Sequence, residues 1–147
     1  MVEARRYTLD TSAIMAYFAD EAGADRVERI LTLSDRGTID AYASFMTYME
    51  VLYAVWRRLG EKTGKATYLR LKALAIRRVD ASEELLLAAA RIKATHELSV
   101  ADAWIAATAL VTGGTLVHKD PEFRSLAGEL PLLELPLKPS PARPRSM

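Results

Sequence analysis

Four carboxylates stand where carboxylates are costly. Residues 7–19 carry one charge, Asp10; residues 41–56 carry one, Glu50; residues 98–117 carry one, Asp102. A fourth acid, Asp120, follows the apolar run 115–117 after His118 and Lys119. Apolar runs are core segments, and a lone buried carboxylate is expensive unless it is paired or holds a metal. Four such positions spread over the whole sequence imply a fold that gathers them into one acidic site. Oxygen-rich acidic sites select hard divalent cations, above all Mg²⁺ and Mn²⁺. Without a cation the carboxylates repel one another, and some take up a proton. Paired metals about 3.5–4 Å apart are a recurring device for hydrolysing phosphodiesters. Ser12, two residues after Asp10, has a hydroxyl suited to orienting a metal-bound water or a phosphate; helix capping explains it equally well.

Taken singly, three of the acids have quieter explanations. Asp10 can cap the helix that follows it. Asp102 can be the acid of a capping box opened by Ser99, favoured there by the helix dipole. Asp120 precedes Pro121 and suits a turn. Glu50 has no such role. Its helix presents an apolar stripe of Phe45, Met49, Leu52, Trp56 and Leu59. Glu50 lies off that stripe, flanked by Met46, Tyr53 and Ala54, and a mid-helix glutamate there needs a partner. Neither histidine is assigned a role. His118 lies on a strand, and His96 sits in a polar Thr-His-Glu loop, expected to be solvated. The absence of cysteine excludes disulfides, thiolate zinc sites and cysteine nucleophiles.

The elements that must position these residues follow from periodicity and punctuation. Strands are expected at 6–9, 38–43, 77–80, 115–118 and 132–135. Helices are expected at 13–19 (after cap chemistry at 10–12), 23–36, 46–59, 63–76, 85–95 and 99–112, with a helical turn at 121–126. Strands alternating with helices predict a mainly parallel sheet of four to five strands, covered by helices on both faces, a three-layer α/β sandwich. Sites in such sheets form at the carboxyl ends of strands. Asp10 and Asp120 each follow a strand, and Asp102 falls in the first turn of its helix, so all three point to one rim. One domain is expected over 1–135. The tail from 136 has four prolines, three basic residues and no acid, and is expected to be disordered or extended.

The net charge of +1 is unevenly spread. Arg57, Arg58, Lys62, Lys65, Arg70, Lys72, Arg77 and Arg78 share a segment with one acid, Glu61, leaving it at +7 and the remainder at −6. Such a run is either a solvated helical face or a patch that attracts phosphates or an acidic partner. Asn and Gln are also absent, and arginine outnumbers lysine 14 to 6. Loss of thermolabile residues fits a thermophilic source, while a GC-rich genome accounts for the arginine without heat. The N-terminus has no apolar signal region. The run 98–117 is broken by Asp102 and Gly113-Gly114, and reads as a helix plus a strand rather than a membrane span. A cytoplasmic protein is the expectation.

Four motifs in register carry a resemblance. They are Leu9-Asp10-Thr11-Ser12-Ala13-Ile14; Tyr48-Met49-Glu50-Val51; the run 98–109, with its Asp102-Ala103 and Ala106-Ala107 pattern; and Leu116-Val117-His118-Lys119-Asp120-Pro121-Glu122-Phe123. In order and spacing, over roughly residues 6–135, the chain resembles the PIN domain, the ribonuclease fold of VapC-type toxins. The resemblance implies a metal-dependent endoribonuclease that cleaves RNA with Asp10, Glu50, Asp102 and Asp120 around Mg²⁺ or Mn²⁺. It also implies a homodimer and a VapB-like antitoxin whose tail enters the site. Glu122 can substitute for or assist Asp120. Two rivals stand beside this reading: a phosphatase with Asp10 as nucleophile, for which Ser12 stands where a second acid is usual, and a PIN-like binding module without catalysis.

Overall fold

The computed structural model describes residues 5–137. Most of the basic tail therefore lies outside the described residues. Five short strands form one sheet: β1 (Arg6–Leu9), β2 (Asp40–Ser44), β3 (Arg77–Val79), β4 (Thr115–His118) and β5 (Leu132–Glu134). Their order is β3-β2-β1-β4-β5, and every neighbouring pair is parallel. The register pairs Leu9 with Val117, so β1 and β4 end side by side. Chain order reverses between these two strands, which makes their carboxyl ends the crevice where open parallel sheets place sites.

Six α-helices connect the strands: α1 (Thr11–Phe18), α2 (Ala24–Asp35), α3 (Phe45–Leu59), α4 (Glu61–Ala73), α5 (Glu83–Thr95) and α6 (Val100–Thr112). A 3-10 turn (Pro121–Leu126) joins β4 to β5. Most starts follow local capping chemistry. The side chains of Asp10, Ser44, Ser82 and Ser99 each accept a backbone N–H of the first turn that follows. Gly113 ends α6 in the left-handed region at φ 72°. At Gly114 a Cβ would lie 2.8 Å from the Arg6 carbonyl oxygen, so glycine is what lets the chain enter β4 beside β1.

Two apolar cores confirm the three layers. One joins Leu9, Ile14, Val27, Val51 and Leu71, uniting α1–α4 with the sheet. The other joins Leu85, Ile92, Ile105, Leu116 and Phe123, uniting α5, α6 and the 3-10 turn with it. At roughly 25 cal/mol per Å² of apolar surface removed from water, cores of this kind dominate the fold's stability.

Two expectations require correction. On α3 the buried residues are Thr47, Tyr48, Val51 and Val55, whereas Met49, Trp56 and Leu59 are exposed. The helix is apolar around most of its circumference, so a wheel drawn from sequence cannot choose a face. The choice is made by the core, where Tyr48, Val51 and Val55 pack with Leu9, Ile14 and Leu71; α4 passes close by on the Trp56 side, where a Cβ on Gly64 would lie 2.9 Å from the Trp56 Cβ. In addition, α4 ends at Ala73 rather than near Ile76, because Leu74 turns extended (ψ 157°) to lead into β3.

Candidate metal centre

The acids arrive at the rim by different routes. Asp10 follows β1, and its own N–H continues the ladder to Val117 O at 3.0 Å. It caps α1: Oδ1 accepts from Ala13 N at 2.8 Å, and the Ser12 hydroxyl lies 2.8 Å from each carboxylate oxygen. Ser12 Oγ in turn accepts from Lys119 N at 2.9 Å, which ties the β1 rim to the loop after β4. Asp120 caps the 3-10 turn, with its Oδ1 accepting from Glu122 N at 2.9 Å. Asp102 lies in the first turn of α6, where its N–H donates to Ser99 Oγ at 3.1 Å. The capping reading is therefore correct for Asp10 and Asp120, while at α6 the cap is the Ser99 hydroxyl on the Asp102 N–H; capping coexists with the convergence of the acids. A helix cap fixes the backbone at the place where a rim carboxylate must be held.

Asp102, Asp120 and Glu122 each offer a carboxylate oxygen within 4.8 Å of the others. Glu122 is thus part of the closest trio. Asp10 and Glu50 lie outside that trio but inside its electrostatic field. Burial pushes the Asp10 carboxyl up to about 7, against the pull of Ala13 N–H and Ser12, with the charges of Asp102 and Asp120 adding to the rise. Asp102 is pushed up to about 6, first by burial and then by the charges of Asp120 and Glu50. Glu50 is held by a hydroxyl absent from the sequence-derived site: Thr11 donates to its Oε1 at 2.6 Å.

The donor set fits a hard divalent cation. It is made only of carboxylate oxygens with a hydroxyl beside them. Asp10 and Asp102 resist ionisation first because they are buried and then because neighbouring acids repel them, and among the described residues no positive side chain is paired with any of these acids. The positive charge missing from the protein is what a cation supplies.

The remaining candidates divide. His118 is fully buried with neither ring nitrogen hydrogen-bonded, and it meets the Phe123 ring edge-on at 5.2 Å. Burial lowers its pKa, so the ring is neutral and serves packing. His96 is not fully solvated as expected. Its ring contacts Thr95 Oγ1 at 2.9 Å and comes within 3.8 Å of Glu129. All eight basic side chains of the 57–78 segment are exposed. Lys65, Arg77 and Arg78 are engaged with Glu61, Asp40 and Asp80. Arg57, Arg70 and Lys72 lie over the rings of Tyr53, Phe18 and Tyr68. The patch is real, but three of its charges are already paired.

The family model for the PIN domain matches residues 7–129. No curated protein sequence matches the chain. Among solved structures, the fold is similar to DNA-bound VapBC from Salmonella typhimurium (19% identity, TM-score 0.71, covering 88% of this chain and 97% of that one). It is similar to VapBC2 from Rickettsia felis bound to promoter DNA (17%, 0.70, 89% and 99%). It is also similar to Mycobacterium tuberculosis VapC20, described as a Sarcin-Ricin loop cleaving toxin (21%, 0.61, 81% and 93%).

Proposed function

The chain belongs to the PIN-domain family, and from that premise we propose that it is a metal-dependent endoribonuclease, the toxin of a VapBC-like toxin–antitoxin pair. The observation that carries the reading is the trio Asp102, Asp120 and Glu122, whose oxygens lie within 4.8 Å of one another, together with the charge repulsion that links Asp10 to Asp102 and Asp120 and links Glu50 to Asp102. Asp10, Glu50, Asp102 and Asp120 hold Mg²⁺ or Mn²⁺, with Glu122 beside Asp120. When bound, the cation supplies charge for the phosphate and lowers the pKa of water, so no histidine base is needed. Ser12 keeps Asp10 oriented by donating to it while accepting from Lys119 N. The unpaired cations of the basic segment attract RNA phosphates.

Two surfaces support the expected partners. A groove of about 280 Å³ between α1 and the α3–α4 pair has Met15, Phe18, Val55 and Leu59 along it and Arg58 and Arg70 at its sides. An amphipathic segment with acidic flanks, as an antitoxin tail can provide, fits that chemistry. Leu86 and Leu87 on α5 and Val100 on α6 are exposed apolar residues, suited to a second copy of the chain. Among the described residues no helix is long and apolar enough to cross a membrane; we place the protein in the cytoplasm with its RNA.

The test is cleavage of a hairpin RNA and a single-stranded RNA by the purified chain, with Mn²⁺, with Mg²⁺ and with chelator. Cleavage that needs the cation and is lost in Asp10→Asn supports the reading. Cation-independent cleavage, or RNA binding with no cleavage in either cation, overturns it, the latter in favour of a binding module.

A further inference from the structure

Thr11 sits between the two residues that the first motif contributes to the rim. It is the first residue of α1, where the backbone is fixed, and its β-branched side chain is stiff about χ1. Its hydroxyl lies 2.6 Å from Glu50 Oε1 and 3.3 Å from Thr47 Oγ1. The hydroxyl has one proton, and the shorter contact to a carboxylate takes it. Thr47 and Glu50 are three residues apart on α3, so both lie on one side of that helix. Glu50 is only partly buried, and a mid-helix glutamate has several side-chain torsions free to carry its carboxylate elsewhere. The Thr11 hydroxyl is the one side-chain donor to that carboxylate among the described residues.

We propose that Thr11 is a positioning residue for the cation site: its hydroxyl fixes the Glu50 carboxylate on the rim so that α3 contributes a pre-oriented ligand. The inference rests on the reading of the acids as a metal site. The rigid hook lies one residue from Asp10 in sequence, so the geometry of one ligand sets that of another 40 positions away. Supporting contacts of this kind cost about 10–100-fold in metal affinity or activity when removed.

The test compares wild type with Thr11→Val, which keeps shape and removes the hydroxyl, Thr11→Ser, which keeps the hydroxyl, and Glu50→Gln. Each is measured for Mn²⁺ affinity by titration, for RNA cleavage, and for melting in chelator. Thr11→Val is expected to melt in chelator close to wild type, yet bind Mn²⁺ about tenfold more weakly, and Thr11→Ser to recover most of that loss. Placed in the Glu50→Gln background, Thr11→Val is expected to change Mn²⁺ affinity little further, because its effect runs through Glu50. Wild-type Mn²⁺ affinity in Thr11→Val, failure of serine to restore it, or an undiminished loss in the Glu50→Gln background overturns the proposal. If Thr11→Val does not fold, Thr11→Ala is used in the same comparison. Wild type that binds no Mn²⁺ at all refutes the metal-site reading itself, and so is distinguishable from failure of the Thr11 inference.

Discussion

Replacing Asp10 by asparagine should stabilise the metal-free protein, and by an amount that grows with pH. The Asp10 carboxyl is almost fully buried and is pushed up to about 7 from an ordinary 3.8. A carboxyl raised in the folded state binds more protons there than in the unfolded chain between those two values. Folding stability therefore falls as pH rises through that window, and the full cost is present above it. The cost at pH 8 is roughly 4 kcal/mol, and at pH 5 only about 1.5 kcal/mol. Asparagine keeps an oxygen for Ala13 N–H and loses acceptor capacity toward Ser12, a loss of about 1 kcal/mol. Asp10→Asn in chelator should thus exceed wild type by about 3 kcal/mol at pH 8 and by less than about 1 kcal/mol at pH 5. His118 acts in the opposite sense, since its lowered pKa costs stability as pH falls, but it is common to both proteins and cancels in the difference. Urea denaturation in chelator from pH 5 to 8.5 measures the gap. With Mn²⁺ at 100 times its dissociation constant, wild type gains about 2.7 kcal/mol and the variant much less. A gap that does not change with pH, or an Asp10→Asn protein less stable than wild type at pH 8 in chelator, refutes the argument from burial.

Other perturbations test separate parts of the structure. Asp102→Asn and Asp120→Asn should each lower Mn²⁺-dependent RNA cleavage by at least about 10–100-fold with little loss of fold, read by cleavage rate and circular dichroism. Neutralising Arg57, Arg58, Arg70 and Lys72, which make no ion pair among the described residues, should weaken RNA binding and flatten its salt dependence; an unchanged slope places RNA elsewhere. Gly64→Ala should destabilise by about 1–3 kcal/mol despite alanine's better helix propensity, because its Cβ would meet the Trp56 backbone at 3.0 Å; a more stable variant in urea denaturation means that the helices can part at no cost. His118→Leu should be neutral or stabilising by up to about 2 kcal/mol, as it removes two unpartnered buried nitrogens, and a loss of several kcal/mol would reveal a bond that the ring does make.

Much of the fold was legible because local chemistry and global topology agree. β1 and β4 fall on their expected residues, since a short apolar run followed by Asp-Thr-Ser or by Asp-Pro marks both the end of a strand and the start of a helical turn. The face of α3 was not legible. It is apolar on more than one side, and burial there is decided by which side meets Leu9, Ile14 and Leu71 from distant elements. The limits of the site reading have the same cause. Asp10, Asp102 and Asp120 stand at element ends, where sequence alone marks the rim. Glu122 follows Asp120 by two residues, and whether it joins the cluster depends on the curl of a 3-10 turn. Thr11 reads in sequence as a cap-adjacent hydroxyl, and nothing local reveals a partner 39 positions away.

The triplet Asp10-Thr11-Ser12 shows why sequence-distant motifs must occur together. Asp10 extends the β1–β4 ladder and caps α1. Thr11 reaches to α3 and holds Glu50. Ser12 reaches to the loop after β4 and accepts from Lys119 N, one residue before Asp120. Two consecutive side chains and the Asp10 backbone N–H thus tie the first motif to the second and the fourth, while Asp102 is linked to them chiefly through charge. The consequence is an unequal tolerance to change. Displacing Asp102 alters the charge of the site and leaves its hydrogen-bonded frame standing. Displacing any member of the triplet alters the frame, so its effect should extend to carboxylates on other elements. A site assembled from like charges cannot hold itself together by electrostatics, and in this fold the neutral hydroxyls and backbone N–H groups beside the acids supply the order that the acids oppose.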